Sequence, residues 1–343
     1  MPQPFVVRPR GDATSTTMST STPEPARRRL AGSGHAALEP FARYLEDPDV
    51  TDLFVNGSAG LFVDRGRGPV AVPEWRAGED DVRDLAIALI GLGGRHIDQA
   101  SPCVDVRLDG GMRVHAVLSP VSIDGTAISI RVPRFDRPSL RGLEQRGMFD
   151  ADGRAALEGA VARRENVLVS GAAGAGKTTL LAGLLGAAAA EERIVTIEDV
   201  AELQLDHAHH VRLEARQANL EGAGAIDLAR LVREALRMRP DRLVVGECRG
   251  AEVRELLSAL NTGHDGGAGT LHANGLVDVA ARLEALGALA GLDDRALARQ
   301  AASAIDLVLH VERTPEGGRR IAGAGRPAVG GDGRLRIEEI PWP

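Results

Sequence analysis

The stretch ENVLVSGAAGAGKTTLLAGLLGAAAAEE, Glu165 to Glu192, decides the fold. ENVLVSG is a short apolar run rich in valine, as a buried strand requires, and TTLLAGLLGAAAAEE continues as an apolar helix. Between them GAAGAGKT, Gly171 to Thr178, fits the pattern G-x-x-x-x-G-K-[ST]. In a strand–loop–helix context the glycines let backbone N–H groups curl around phosphate oxygens, and the helix N-terminus adds its positive end. Lys177 is the only lysine among 41 basic residues. A compact ammonium can slide along such a loop and sit between β- and γ-phosphates, where the planar fork of arginine would not fit. The expected nucleotide contacts are Gly171, Gly174, Ala175, Gly176, Lys177, Thr178 and Thr179, with ATP as the ligand and the Thr178 hydroxyl on Mg²⁺.

Working outward, RIVTIEDV, DRLVVGEC and AGTLHA repeat the rhythm of a short apolar strand followed by a helical stretch. That order implies an α/β unit with a mostly parallel sheet covered on both faces, whose functional groups gather at the carboxyl ends of the strands. Two such ends carry acids: Glu198-Asp199 after RIVTI, and Glu247 after LVVG. A carboxylate beside a P-loop can hold hydrated Mg²⁺ or take a proton from an attacking water.

Upstream, Ala36 to about Pro133 reads as a smaller α+β unit. A helical start is followed by short strands, the helix DDVRDLAIALIGLG, and three more strands separated by the turns DGG and IDG. The expected organisation is a disordered tail over 1–34, the N-terminal α+β domain over 35–133, a linker over 134–150, and the P-loop domain over 151–343. The tail is rich in Ser, Thr and Pro and carries Arg27-Arg28-Arg29, readable as solvated charge or as a contact for an anionic membrane surface or acidic partner.

Composition narrows the class. A net charge of −7 and only three Trp and Tyr residues argue against a protein that works mainly on nucleic acid. The two cysteines, Cys103 and Cys248, lack the spacing of a zinc site or a disulfide framework and read as small buried hydrophobes in a reducing compartment. No uncharged apolar run reaches the ~20 residues of a membrane span, so a cytosolic protein, or one held at a membrane through partners, is expected. His207, His209 and His210 in DHAHH fit either a metal site or a surface role.

LRMRPDRLVVGECRGAE, together with RIVTIEDVAELQL before it and TGHDGGAGTLHAN after it, resembles the type II/type IV secretion ATPase superfamily over about Leu38 to His310. It is most similar to the branch that drives Tad (Flp) pilus assembly, which is also associated with conjugal transfer. The resemblance implies a RecA-like P-loop NTPase domain and makes Glu198 and Glu247 the metal and water carboxylates. It also makes His264 and His272 a polar pair near the phosphates. It further implies a homohexamer on the inner face of the cell membrane, acting on membrane platform proteins, with an N-terminal domain that supplies arginines to the nucleotide. The matching positions are Arg113 in GGMRVHAV and Arg131 in ISIRV; each sits in apolar alternation, so a solvent-facing arginine is the competing reading. Ala172 and Ala173 stand where relatives often have glycine or threonine.

Overall fold

The computed structural model describes residues 36–108, 111–132, 137–216, 224–315 and 317–343; the expected tail lies outside them. Two sheets organise the chain.

The first sheet is antiparallel throughout, in the order β3-β2-β1-β6-β5-β4. Its strands are β1 (Asp52–Asn56), β2 (Leu61–Asp64), β3 (Pro69–Ala71), β4 (Cys103–Arg107), β5 (Arg113–Val117) and β6 (Ala127–Arg131). Alternation along the strands buries Leu53, Val55, Leu61, Val63, Val114, Ala116, Ile128 and Ile130 on one face. Helix α1 (Glu79–Leu92) covers that face with Val82, Ala86, Leu89 and Ile90, and a short helical segment over 36–45 adds Phe41 and Leu45. The opposite face carries one row across four strands, because Arg107 pairs with Arg113, Arg113 with Arg131, and Arg131 with Asp52. Like charges directly opposite each other destabilise a sheet, so three arginines in one row need anionic partners.

The second sheet runs β14-β13-β12-β7-β11-β10-β8-β9. Its parallel strands are β7 (Val167–Gly171), β8 (Ile194–Glu198), β9 (His210–Glu214), β10 (Arg242–Cys248), β11 (Ala268–His272) and β12 (Leu307–Arg313). An antiparallel hairpin, β13 (Arg319–Val329) and β14 (Leu335–Ile340), closes the β12 side. Sequence rhythm anticipates the parallel strands β7, β8, β10 and β11, and the hairpin is added by the structure. Helices α2 (Leu140–Gln145), α3 (Ala151–Ala162) and α4 (Lys177–Gly186) lie on one face, where Leu143, Leu157, Leu180 and Leu184 pack on Val169 and Leu309. The other face is covered by α5 (Leu228–Leu236), α6 (Glu252–Leu260), α7 (Asp278–Leu289) and α8 (Asp294–Ala304), which enclose Leu168, Val195, Ile197 and Val245.

Part of the expected linker is core. Residues 133–136 fall outside the described set, but Leu140 and Leu143 of α2 are buried, and a Cβ on Gly183 of α4 would lie 2.8 Å from Leu143 Cδ1. Asp150 caps the next helix, α3, by accepting the Gly153 N–H at 2.9 Å. Cys248 is buried as expected, whereas Cys103 is exposed, since it opens the edge strand β4. Among the described residues no helix is long and apolar enough to cross a membrane.

Candidate functional site

Register places the chemistry. His272 lies opposite Gly171, and β10 and β8 end beside them, so the P-loop, Glu198, Glu247 and His272 come together at the carboxyl edge of the parallel sheet. A cleft of about 230 Å³ opens there and is lined by Lys177, Thr178, Glu198, Glu247 and His272 from this edge and by Arg113 and Arg131 from the first sheet.

The loop is built on glycine where nothing larger fits. Gly171 has φ +153°, and a Cβ there would meet the Val311 carbonyl oxygen at 2.3 Å; Gly176 has φ +102°, and its Cβ would meet Arg319 Cδ at 2.7 Å. Lys177 is the first residue of α4, 7% exposed, with Nζ donating to the carbonyls of Gly171 and Ala172 at 3.0 Å each. His272 Nδ1 is 3.5 Å away. The ammonium is held inside the loop's own curl, and burial lowers its pKa.

The two carboxylates differ in environment. Glu198 is 4% exposed, and its Oε1 accepts the N–H groups of Glu202 and Leu203 at 3.0 Å each. Its Oε2 is buried without a hydrogen-bond partner. Burial pushes this carboxyl up to about 7, against the backbone hydrogen bonds that favour the anion. Glu247 is held between Arg249 and His272: Arg249 Nε donates to Oε2 at 2.7 Å, and His272 Nε2 lies against Oε1 in a close contact without the alignment of a hydrogen bond. Burial and the nearby Lys177 ammonium hold His272 below the usual imidazole range.

Arg113 donates from Nε to both oxygens of Asp105, at 2.9 and 3.1 Å, and Arg131 donates to Asp52 at 3.3 Å while its Nη1 is 3.9 Å from Glu202. Both guanidinium groups therefore face the acidic side of the cleft while anchored in their own sheet. Arg107, third in the row, donates to the Ala201 carbonyl and pairs with Glu214, tying the first sheet to the loop after β8.

One expected residue is not brought here. His264 precedes β11, at the amino end of the strand whose carboxyl end carries His272, and its Nδ1 contacts the Ala259 carbonyl at 3.2 Å. The five-residue length of β11 separates the two imidazoles, so they do not form a pair at the cleft. The DHAHH histidines also diverge. His207 contacts the Ala189 carbonyl, His209 contacts Arg193, and His210 contacts Thr196. Among the described residues no group of three metal-ligating side chains assembles.

Sequence reasoning missed Arg249 and Arg319. Arg249 follows Glu247 by two residues and folds back onto it, a local signal available in GECRG; Arg319 reaches Gly174 O at 3.3 Å from β13, a contact with no local signature.

A strand, glycine loop and helix on a parallel sheet, with acids on neighbouring strand ends, define a P-loop NTPase of RecA-like architecture. Residues 37–317 match the family described as Type II/IV secretion system protein, and the chain belongs to that family. A putative conjugal transfer protein of Mycobacterium tuberculosis is 49% identical over 299 residues, covering 85% of this chain and 84% of that protein. The conjugal transfer protein TrbB of Rhizobium radiobacter is 33% identical over 284 residues, covering 80% of this chain and 83% of its own length. Among solved structures, the ATPase DotB of Legionella pneumophila shares the fold, with a TM-score of 0.59 at 22% identity over 85% of this chain and 81% of that one. So does the pilus retraction motor PilT with bound ADP, with a TM-score of 0.59 at 20% identity over 88% and 82%.

Proposed function

We propose that the chain is an ATP-hydrolysing motor of a secretion or pilus-assembly system, working as a homohexamer on inner-membrane platform proteins from the cytoplasmic face. The observation that carries this is the cleft in which Lys177, Thr178, Glu198 and Glu247 of one sheet face Arg113 and Arg131 of the other. Residues 35–133 act as the unit that closes over the nucleotide, and 151–343 as the ATPase unit.

Mg²⁺ fits the donor set, since Glu198 has a buried carboxylate oxygen with no partner and Thr178, the second residue of α4, lines the same cleft. Held by Thr178 and, through water, by Glu198, the ion would supply positive charge that offsets the charge of the phosphates. Lys177 exchanges its carbonyl partners for phosphate oxygens. Glu247 orients a water and accepts its proton as the new oxygen–phosphorus bond forms and the bond to the departing ADP oxygen breaks. Arg113 and Arg131 meet the charge that develops on the transferring group. His272, kept neutral by its surroundings, holds Glu247 in place without adding a second cation.

A second reading, a motor for DNA transfer in a conjugation-type system, is favoured by the names of the curated relatives. Phosphate release from Mg·ATP by the full chain, measured with and without single-stranded and duplex DNA, tests both. Release insensitive to DNA supports the pilus or secretion reading, here placed in the Tad (Flp) branch. Marked stimulation by DNA would replace it with the second, and no release at all would refute the ATPase reading.

A further inference from the structure

The two sheets touch edge to edge. Arg107 ends β4, an edge strand of the first sheet, and Glu214 ends β9, an edge strand of the second; their side chains form an ion pair across the boundary. Both also grip one peptide unit in the segment that follows β8. Arg107 Nη2 donates to the Ala201 carbonyl at 3.1 Å, and Glu214 Oε2 accepts the Ala201 N–H at 2.9 Å. Arg212 donates to the same carbonyl at 2.7 Å. The next two residues, Glu202 and Leu203, are those whose N–H groups hold Glu198 Oε1. Arg131, at the other end of the arginine row, comes within 3.9 Å of the Glu202 carboxylate.

Side chains fix the shape of this segment, since among the described residues no backbone–backbone hydrogen bond holds 199–203. Leu203 anchors its far end in the core around α4, whereas Ala201 is held by polar contacts. One guanidinium, that of Arg212, already satisfies the Ala201 carbonyl from within the second sheet. The second comes from the first sheet and is held beside a like charge: burial and Arg212 lower the pKa of Arg107, while Glu198 and Glu202 work the other way. What Arg107 adds therefore depends on where the first sheet sits. We propose that Arg107 is a positioning residue for Glu198: with the first sheet seated, it fixes the Ala201 peptide, and with it the two amides that orient the Glu198 carboxylate for Mg²⁺. This rests on the reading of Glu198 as a carboxylate of the metal site. Withdrawal of the first sheet leaves the segment to Arg212 and Glu214 alone, so the metal carboxylate is fully placed only when the two units are together. Removing an outer partner of a metal-binding group typically costs about 10–100-fold in metal affinity.

Two measurements on the full chain test this in Arg107→Ala, Arg107→Lys and Glu198→Ala: amide hydrogen exchange without nucleotide, and Mg²⁺ titration of the ADP complex. In Arg107→Ala the Glu202 and Leu203 amides should exchange about tenfold faster, while those of β7 and α4 keep their wild-type rates, which separates local loosening from lost stability. Mg²⁺ affinity should fall about tenfold, with metal-free ADP affinity unchanged. Lysine, a donor able to serve the same carbonyl, should recover part of both losses. Unchanged exchange at 202 and 203 in Arg107→Ala would overturn the proposal, and so would faster exchange with Mg²⁺ affinity intact. Glu198→Ala shows which claim has failed. If it too leaves Mg²⁺ affinity intact, Glu198 does not serve the metal; if it lowers the affinity and Arg107→Ala does not, the role of Arg107 alone falls.

Discussion

Replacing Glu198 by glutamine should make the nucleotide-free protein more stable at neutral and alkaline pH while leaving it nearly unchanged near pH 5. The carboxyl is pushed from its ordinary 4.5 up to about 7 because the anion is buried beside Gly246 with one oxygen unpartnered. Between those two values the folded state binds more protons at this site than the unfolded chain does. Stability therefore falls as pH rises from about 4.5 to about 7, and the loss is complete above that. The gap corresponds to roughly 3 kcal/mol as an upper limit. Glutamine cannot ionise, keeps an oxygen for the Glu202 and Leu203 amides, and escapes the penalty. Urea unfolding at pH 5, 6, 7 and 8 without nucleotide or metal, followed by tryptophan fluorescence in a Trp75→Phe background so that Trp342, partly buried against the second sheet's core, is the reporter, reads this directly. The variant should gain about 2–3 kcal/mol on the wild type between pH 5 and 8. Stability profiles that stay parallel across this range would refute the claim that the charge is buried at a cost.

Lys177→Arg should abolish phosphate release, because the guanidinium has no room in a curl where Nζ sits 3.0 Å from two carbonyls; near wild-type turnover would contradict this. Glu247→Gln should bind Mg·ATP yet hydrolyse it at least ~10²-fold more slowly, checked by nucleotide affinity and single-turnover release. Arg113→Ala and Arg131→Ala should each lower kcat by about 10²–10³ with little change in ATP affinity; unchanged turnover in both would leave them as sheet-facing charges paired to Asp105 and Asp52. Arg242→Met, at a 4% exposed site where the guanidinium meets Glu192, Val161 O and Gly266 O, should cost about 3 kcal/mol in thermal or urea unfolding by stranding those acceptors.

What was legible in the sequence was local. The P-loop declares itself because glycine spacing, the lysine and the flanking strand and helix are contiguous, and Glu198 and Glu247 follow from ending strands of the same type. Arg113 and Arg131 are visible as polar breaks in apolar alternation, but only the register that sets Arg113 opposite Arg131 shows that they form a row with Arg107. His264 misled because one sequence box holds two histidines, and a strand between them sends them to opposite ends of the sheet. Residues 140–145 carry two prolines' worth of linker signal just upstream, yet Leu140 and Leu143 are drawn into the core by α4, a tertiary contact that no local pattern announces.

The hairpin at the chain's end also has a protective role. β12 lies directly beside the P-loop strand β7, and its run LVLHV is buried throughout. Only β13 occupies the row of backbone hydrogen-bonding groups on β12's other side. The family match stops at residue 317, two positions before β13 begins. A chain cut at that boundary would lose Arg319 but keep the P-loop, Glu198, Glu247 and His272, and would still leave an apolar edge open to a neighbouring chain. Such a shortened protein should come out of solution as a polymer before it could be assayed as an enzyme. The last two strands thus act as a guard against self-association, and trimming to the family's limits would remove it.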